Sequence, residues 1–482
     1  MSSCQHWAGS PTKPDTIYAL STSPGKAGVA VVRISGPDAT EVLSKMTMRN
    51  AYEPRRAYFR RIHHPLTGNL LDKGLVLFFP GPNSFTGEDI IELQIHGGNA
   101  VVKGVLGALG SIPSFRMAEP GEFAKRSFDN NKLDLTELEG LADLLNAETE
   151  MQRKLALRQA EGGLRVPFES WRNQIIHCMA LTEAVIDFGE DENIEEGVLM
   201  DVNENIKQLR ATIVHHLDDQ HAGEIVRNGL HIAIMGPPNA GKSSFLNRLA
   251  KREAAIVSDI PGTTRDIVEV TMDLQGYPVI MSDTAGLRIS DDQVEMEGVK
   301  RAQARAAVAD IKICLLPLPS LKPTQDLNSL QMDAMVQQII DDQTILLLNK
   351  QDLLLQDGQH PNVTLQPLFD HIQAMTGAKK VYAISCETGQ GIDSFLKDLV
   401  QDLEAKLRPS LANPIIVTQA RHRQHLENCV ASMDAYLQLP EEEIVLGAEE
   451  LRQAANALGR ITGRIDVEDI LDALFSQFCI GK

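Results

Sequence analysis

The pattern of hydrophobic and polar positions changes along the chain. From Ile17 to about Pro120, short apolar runs such as GVAVVRISG and GLVLFFPG alternate with Gly and Pro. This alternation is typical of strands joined by tight turns, and it predicts a small α+β domain. From about Lys132, apolar residues recur every three or four positions in long stretches rich in Leu, Ala and Glu. That spacing predicts helices.

A third pattern fills residues 229–408, where apolar strands such as LHIAIMG, YPVIMSD and QTILLLNK alternate with helical stretches. It predicts an α/β domain with a mostly parallel, doubly wound sheet and helices on both faces. Helical periodicity returns after the linker PSLANP at 409–414. Because helical segments flank the α/β segment, we expect it to be inserted into an α-helical domain, which a surface loop tolerates.

The length of the chain also indicates several domains, because 482 residues exceed the ~100 to 200 residues of an ordinary domain. The predicted boundaries are a flexible N-terminus at 1–14, an α+β domain at 15–131, a helical domain from 132–228 and 409–482, and the α/β domain at 229–408.

Composition and charge narrow the class of protein. A net charge of −19 argues against nonspecific coating of nucleic acid and leaves only a local basic patch for RNA. No apolar run reaches the ~18 residues of a membrane span, so we expect no membrane association. The six cysteines form no C-x-x-C pair, which favours reduced thiols and a reducing compartment. The first fifteen residues show neither a secretory signal nor a clear transit peptide.

Residues 236–244 read GPPNAGKSS, directly after the predicted strand HIAIM and before the helical SFLNRLA. A G-x-x-x-x-G-K-S motif in this context predicts a phosphate-binding loop. In such a loop, backbone N–H groups cradle the β-phosphate, Lys242 binds β and γ oxygens, and the Ser243 hydroxyl ligates Mg²⁺. The loop residues predicted to bind nucleotide are Asn239, Ala240, Gly241, Lys242, Ser243 and Ser244.

Three more motifs follow predicted strands in the order of a GTP-binding domain. A D-x-x-G motif at 283–286 can hold the Mg²⁺ shell and sense the γ-phosphate. The carboxylate of the NKQD motif at 349–352 can accept both N1–H and N2–H of guanine, which favours GTP over ATP. The loop that follows KKVYAI, at residues 385–387, is predicted to close over the guanine base. The predicted contacts are Asp283, Thr284, Ala285, Gly286, Asn349, Lys350, Asp352, Ser385 and Cys386.

A mobile switch is predicted at IPGTTRD, residues 260–266, where Thr264 can complete the Mg²⁺ coordination when the γ-phosphate is present. Leu287 follows the D-x-x-G motif, whereas Ras-type GTPases have a water-orienting glutamine there. Another residue must therefore orient the attacking water. The acidic candidates in the following loop are Asp291, Asp292, Glu295 and Glu297.

These motifs, together with PNSFTGEDIIELQIHGG, PGEFAKRSFDNNKLDL and the terminal FCIGK, resemble the MnmE (TrmE) family of tRNA-modification GTPases from Thr16 to Lys482. The resemblance implies a homodimer whose GTPase domains meet across their nucleotide faces with the help of potassium. It implies that Glu295 positions the water. The potassium ligands it implies are Asn239, Ser258, Ile260 and Thr263, of which Ser258 and Thr263 also join the GTP-binding set.

The resemblance also implies that the N-terminal domain dimerises and binds formyl-tetrahydrofolate. The implied contacts are Arg33, Glu92, Lys132 and Lys482. Charged residues at such places are usually solvated, so this assignment depends on the resemblance alone. Cys479 in LFSQFCI is a candidate catalytic thiol, with a small buried hydrophobe as the alternative.

The implied function is to add an aminomethyl-type group, carboxymethylaminomethyl or taurinomethyl, at C5 of wobble uridine in tRNA. The implied partner is a flavin-dependent protein of the MnmG (GidA) family. The stretch DFGEDENIEEGV at 187–198 resembles mitochondrial members and predicts the mitochondrial matrix. One alternative is a ribosome-assembly switch of the Era or Der type, although no KH-like G-x-x-G module follows the GTPase segment. The other is a regulatory GTPase without modification activity.

Overall fold

The computed structural model describes residues 15–188, 197–219, 221–237, 239–252, 269–283, 309–321, 340–353, 366–411, 415–465, 474 and 481. The chain forms two compact units. The first comprises 1–142, 159–194 and 439–482, and the second comprises 143–158 and 195–438. The domain boundaries expected from the sequence remain predictions.

The first unit contains a six-stranded sheet. Its strands are β1 (Thr16–Leu20), β2 (Ala27–Ser35), β3 (Tyr58–His63), β4 (Leu70–Phe79), β5 (Ile90–Gly97) and β6 (Phe115–Met117). They lie in the order β3-β4-β5-β2-β1-β6, and all neighbours are antiparallel except β1 and β6. The helices around this sheet are α1 (Glu41–Thr47), α2 (Asn99–Gly110) and α3 (Glu122–Asp129).

Alternation along the strands gives this sheet one fully buried face. Val32 and Ile34 of β2, and Leu93 of β5, share a core with Val105 of α2. Because side chains on a strand alternate between faces, Arg33 and Glu92 lie on the opposite face. This mostly antiparallel sheet with its own helices confirms the predicted α+β domain.

The chain continues through α4 (Leu135–Asn146), α5 (Glu150–Ala160) and α6 (Arg165–Phe188), and α13 (Ile444–Thr462) belongs to the first unit. Helix α13 packs along α6. A reciprocal cap begins α4. The Glu137 backbone N–H donates to Asp134 Oδ1 at 2.8 Å, and the Asp134 N–H donates to Glu137 Oε2 at 2.7 Å.

The helices of the second unit include α7 (Gly197–Leu217), α8 (Ala222–Asn228) and α12 (Ala420–Gln438). Buried Arg423 of α12 connects them. Its guanidinium donates to Asp219 Oδ1 at 2.6 Å, to Glu224 Oε1 at 2.8 Å and to the Leu217 carbonyl at 2.8 Å. One charged side chain thus ties the end of α7 and the start of α8 to α12.

The second unit also contains a six-stranded sheet. Its strands are β7 (Leu230–Met235), β8 (Glu269–Leu274), β9 (Tyr277–Asp283), β10 (Ile311–Pro317), β11 (Thr344–Asn349) and β12 (Lys380–Ala383). The order is β12-β11-β10-β7-β9-β8, with only β8 antiparallel to its neighbour. The helices of this domain within the described residues are α9 (Lys242–Arg252), α10 (Gln366–Thr376) and α11 (Ile392–Leu411).

Both faces of this sheet are covered. Leu347 of β11 packs in one core with Phe245 of α9 and Phe395 of α11, whereas the adjacent Leu348 packs in another with Ile372 of α10. Burial on both faces explains why β11 is hydrophobic at nearly every position. The mostly parallel, doubly wound sheet is confirmed. Among the helices within the described ranges, none is long and apolar enough to cross a bilayer.

Candidate functional site

The loop after β7 follows a path that requires glycine. Gly236 has φ 136° and Gly241 has φ 98°, and Asn239 between them is also left-handed at φ 61°. A Cβ on Gly236 would lie 2.1 Å from the Leu315 carbonyl oxygen, inside any van der Waals contact. The loop can therefore pass against the end of β10 only because no side chain is present.

Lys242 is the first residue of α9 and is only 6% exposed. Its ammonium donates to the Gly236 carbonyl at 2.7 Å and to the Pro237 carbonyl at 2.9 Å. The helix N-terminus beside it presents backbone N–H groups, which attract anions. A buried cation next to this N-terminus fits a phosphate group, as the motif predicts. The exposed side chains at this end of α9 are those of Asn239, Ser243 and Ser244.

Asn349 connects three loops. It ends β11 and is 2% exposed. Its Nδ2 donates to the Ala240 carbonyl at 2.8 Å, and its Oδ1 accepts the Cys386 N–H at 3.0 Å. The sequence assigned Asn349 to the nucleotide. The structure shows that it also holds the phosphate loop to the loop after β12.

Arg248 of α9 holds the loop after β12 from the other side, and sequence reasoning did not identify it. Its guanidinium donates to the carbonyls of Cys386 at 2.9 Å and of Glu387 at 2.8 Å. A Cβ on Gly389 would lie 2.3 Å from Arg248 Nη2. The sequence signal was weak, because an arginine in a surface helix is usually solvated.

The remaining predicted nucleotide contacts within the described residues lie at the carboxyl ends of β11 and β12, where a parallel sheet places its ligands. Lys350 has a left-handed backbone at φ 67°, and Asp352 is half-buried. Ser385 is buried and accepts the Thr388 N–H at 3.1 Å. Burial raises the pKa of the Cys386 thiol to about 11, so it stays protonated at neutral pH.

Several predicted residues lie outside the described residues, and their assignments remain predictions. They are Ser258, Ile260, Thr263, Thr264, Thr284, Ala285, Gly286, Glu295, Cys479 and Lys482. Asp283 ends β9, with its backbone within the described part. The candidates within the described residues therefore lie in the loops that follow β7, β11 and β12.

A second polar site lies on the opposite face of the first sheet, away from the core that packs on α2. Arg33 on β2 is directly opposite Glu92 on β5. Arg33 Nε donates to Glu92 Oε1 at 3.1 Å, with Nη2 at 3.0 Å from the same oxygen. The Arg33 Cζ lies 5.5 Å from the Phe85 ring centre and 6.0 Å from that of Phe123. Cross-strand register thus brings together two residues that the sequence separates by 59 positions.

Lys132 reaches the loop that carries Phe85. A Cβ on Gly87 would lie 3.1 Å from Lys132 Cε, and Asn130 Nδ2 donates to the Thr86 carbonyl at 2.7 Å. The structure therefore brings Arg33 and Glu92 together and places Lys132 against the adjoining loop. Sequence reasoning missed the aromatic partners of Arg33, although both lie inside the motifs that carried the resemblance.

Comparison with known proteins decides the family. Residues 16–132 match the family described as "GTP-binding protein TrmE N-terminus", and residues 135–479 match "MnmE helical domain". The chain belongs to the MnmE (TrmE) family. The resemblance expected from the sequence motifs is confirmed.

Curated members of the MnmE family match over nearly their full length. The chain is 46% identical to "5-taurinomethyluridine-[tRNA] synthase subunit GTPB3, mitochondrial" of Danio rerio, over 99% of this chain and 95% of that protein. The human protein of the same name is 43% identical, over 98% and 95%. "tRNA modification GTPase MnmE" of Parvibaculum lavamentivorans is 47% identical, over 97% and 100%. Mitochondrial and bacterial members are thus similarly related to this chain.

Proposed function

We propose that this protein hydrolyses GTP to GDP and phosphate as part of tRNA wobble-uridine modification. The observation that carries the proposal is the phosphate loop, in which buried Lys242 lies at the N-terminus of α9. Membership of the MnmE family and the names of its full-length relatives support the tRNA substrate. The modification is a 5-aminomethyl-type group, either carboxymethylaminomethyl or taurinomethyl.

The residues of this chain have separate tasks toward GTP and Mg²⁺. Lys242 neutralises the β and γ oxygens, Ser243 and Thr264 ligate Mg²⁺, and Asp352 accepts the two N–H groups of guanine. Asn349 orients the base-binding loop through Cys386 and the phosphate loop through Ala240. A fixed arrangement of these donors lowers the reorganisation needed when charge moves between phosphate oxygens.

Potassium stimulation belongs to the proposal. The ligands are Asn239, Ser258, Ile260 and Thr263, and the exposed left-handed turn at Asn239 supports a cation contact there. A monovalent cation beside the phosphates neutralises developing negative charge, and Glu295 orients the water. We expect faster hydrolysis in K⁺ than in Na⁺, and slow hydrolysis with normal GTP affinity for Glu295→Ala. Equal rates in both salts would remove potassium from the proposal.

The Arg33 site is proposed to bind formyl-tetrahydrofolate, with Lys132 and Lys482 as further contacts and Cys479 as a candidate thiol. The residues fit this ligand, since the Glu92 carboxylate can accept paired N–H groups of an amino-oxo pyrimidine ring. Phe85 beside Arg33 offers an apolar surface for the ring system. When bound, the folate supplies a one-carbon unit. Arg33 orients the Glu92 carboxylate through contacts of 3.1 and 3.0 Å.

The proposal includes assembly and location. The protein works as a homodimer with a flavin-dependent MnmG (GidA)-type partner in the mitochondrial matrix, which the mitochondrial relatives support. We also propose the domain organisation expected from the sequence, with folate binding and dimerisation in residues 15–131 and GTP hydrolysis in residues 229–408.

Mass spectrometry of wobble uridine tests the modification activity. In a strain deleted for this gene, the 5-aminomethyl-type nucleoside is expected to disappear and to return with the wild-type gene. A Lys242→Ala gene is expected not to restore it, because the phosphate loop loses its buried cation. Unchanged wobble uridine in the deletion strain would contradict the proposal and favour a ribosome-assembly or regulatory GTPase.

A further inference from the structure

A concentration of positive charge lies at the edge of the first sheet. Residues 49–64 contain five arginines and two histidines against one acidic residue, in a chain whose net charge is −19. Strand β3 runs through this segment and, among the described strands, lies at the edge of the sheet and pairs with β4 alone. The exposed arginines are Arg49, Arg55, Arg56 and Arg61. Local charge at this edge is therefore opposite to that of the whole protein.

One face of the β3–β4 pair combines these charges with apolar side chains. Phe59 is opposite Leu75, and Arg61 is opposite Lys73. Phe59 is 65% exposed and Leu75 is 37% exposed, and both cations are exposed. We call Phe59, Arg61, Lys73 and Leu75 the β3–β4 patch. It presents an aromatic ring beside two cations.

The cross-strand pair of Arg61 and Lys73 is unfavourable by itself. Like charges directly opposite each other on antiparallel strands destabilise a sheet. Within the described residues, neither side chain has an ion pair or a hydrogen bond, whereas Arg56 nearby contacts Glu53 at 2.8 Å. A bound anion that spans both cations would relieve this repulsion. Geometry thus points to a ligand with closely spaced negative charges.

Aromatic packing stiffens the strand that carries the β3–β4 patch. The Arg60 Cζ lies 5.0 Å from the Tyr58 ring centre and 5.8 Å from that of Tyr52. These two tyrosines meet edge to face at 5.0 Å. This stack fixes β3 from one side, so Phe59 on the other side projects from a rigid support. An exposed ring held in this way is a platform for a flat partner.

We propose that the β3–β4 patch binds an unpaired segment of RNA, with a base stacked on Phe59 and phosphates on Arg61 and Lys73. Single-stranded RNA offers both groups at once, since proteins bind it through aromatic stacking and basic grooves. A second copy of this chain fits less well, because a two-fold interface would bring the same cations together. The inference rests on the proposed function, in which the RNA is tRNA.

The first experiment measures binding of the full-length protein to a fluorescently labelled, unmodified tRNA transcript at several salt concentrations. In Arg61→Gln/Lys73→Gln, the slope of log Kd against log salt is expected to fall by about 1.4, since each phosphate contact to a single strand contributes about 0.7. The control is Arg153→Gln/Lys154→Gln, which removes equal charge from exposed side chains near Glu150. We expect the control to keep the wild-type slope.

The second experiment tests stacking. Phe59→Ala is expected to weaken binding about 5- to 100-fold, which corresponds to the loss of one base–aromatic stack. Phe59→Leu should lose nearly as much, because leucine preserves the apolar contact with Leu75 but has no aromatic face. Wild-type affinity in Phe59→Leu would overturn the stacking contact.

Two outcomes would overturn the RNA inference as a whole. One is an equal salt slope for the β3–β4 patch variant and its control. The other is a lower mass by light scattering for the patch variant alone, which would identify a second copy as the occupant. The wobble-uridine measurement is independent of both. A deletion strain with normal uridine refutes the proposed function even if the patch binds tRNA, whereas normal binding by the patch variants refutes only the patch.

Discussion

The nucleotide loop of the second unit and the Arg33 site of the first unit are assembled by different means. The loop is continuous in sequence, and its shape comes from backbone angles at Gly236 and Gly241. The Arg33 site depends on strand register, which places Arg33 opposite Glu92. A motif can encode the loop directly, whereas register depends on the whole sheet. Backbone substitutions should therefore damage the nucleotide loop most. Substitutions that break a side-chain pair should damage the Arg33 site most.

The largest effect is expected for Gly236→Ala. The new Cβ would lie 2.1 Å from the Leu315 carbonyl oxygen at a backbone φ of 136°. Strain of about 3 kcal/mol would oppose the native loop, which corresponds to about 100-fold weaker GTP binding. Titration with a fluorescent GTP analogue measures the affinity, and hydrogen exchange of the β7 amides measures local stability.

Gly377→Ala is the matched control for backbone strain. Gly377 also has a left-handed φ of 71°, but nothing lies within 4 Å of the position that a Cβ would take there. We expect a cost of about 1 kcal/mol from the backbone alone and wild-type GTP affinity. Similar GTP affinities for the two variants would show that close approach to β10 does not shape the loop.

A smaller loss is expected for Asn349→Ala, which keeps the backbone and removes the bridge between loops. The buried Ala240 carbonyl and Cys386 N–H would each lose a partner. We expect about 2 kcal/mol of destabilisation and about 30-fold weaker GTP binding. Asn247→Ala, an exposed asparagine on α9, should leave both unchanged. Wild-type affinity for Asn349→Ala would contradict the bridging role.

The sequence predicts a nucleotide site here because each motif combines local chemistry with a predicted strand end. The left-handed glycines and the buried lysine of this loop depend on residues that are close together in the sequence. The contacts of Asn349 with Ala240 could not be predicted, because they join positions 109 residues apart. The stabilising role of Arg248 was missed for the same reason. Long-range hydrogen bonds need the packed sheet before they can be identified.

The Arg33 site was predicted only through family resemblance. Its two charged residues have no distinctive local spacing, and polar residues in strands are commonly solvated. The sequence does not give the antiparallel register of β2 and β5, which places the two residues opposite each other. The fold was easier to predict from the sequence than this site. Alternating apolar strands and periodic helices predicted both the α+β sheet and the doubly wound sheet.

A moderate effect is expected from breaking the Arg33–Glu92 pair. Its side chains are only 21% and 16% exposed. A double-mutant cycle with Arg33→Ala and Glu92→Ala should give a coupling of about 1 to 2 kcal/mol. Urea unfolding followed by Trp171 fluorescence reports this unit, because Trp171 is buried in α6. Either single variant should also abolish calorimetrically measured formyl-tetrahydrofolate binding.

The exposed pair of Arg56 and Glu53 is the control for this cycle. Their side chains are 62% and 68% exposed, so solvent screens the attraction. We expect a coupling below about 0.5 kcal/mol. Equal couplings for the two pairs would show that burial on the sheet face does not strengthen the Arg33 contact. Normal folate binding by Arg33→Ala would remove Arg33 from the proposed site.

The smallest effect concerns a buried carboxylate of the same unit that has no arginine hydrogen bond. Burial raises the pKa of Asp134 from 3.8 to about 6, with repulsion from Glu137 adding to the shift and hydrogen bonds from Glu137 N–H and Thr136 opposing it. Between pH 4 and 6 the folded state keeps a proton that the unfolded state has released. The stabilising contribution of Asp134 should therefore be fully present below about pH 4 and be lost as the pH rises through about 6.

Asp134→Asn separates this titration from the capping role. The amide oxygen can still accept the Glu137 N–H and the Thr136 hydroxyl, so the start of α4 is preserved while the titrating group is removed. Glu122 gives the opposite sign, because hydrogen bonds from Arg116 and Arg126 lower its pKa despite burial. In urea unfolding followed by Trp171, Asp134→Asn should therefore lose less stability than wild type between pH 4 and 6. Parallel pH profiles would show that burial does not raise the pKa of Asp134 in the folded protein.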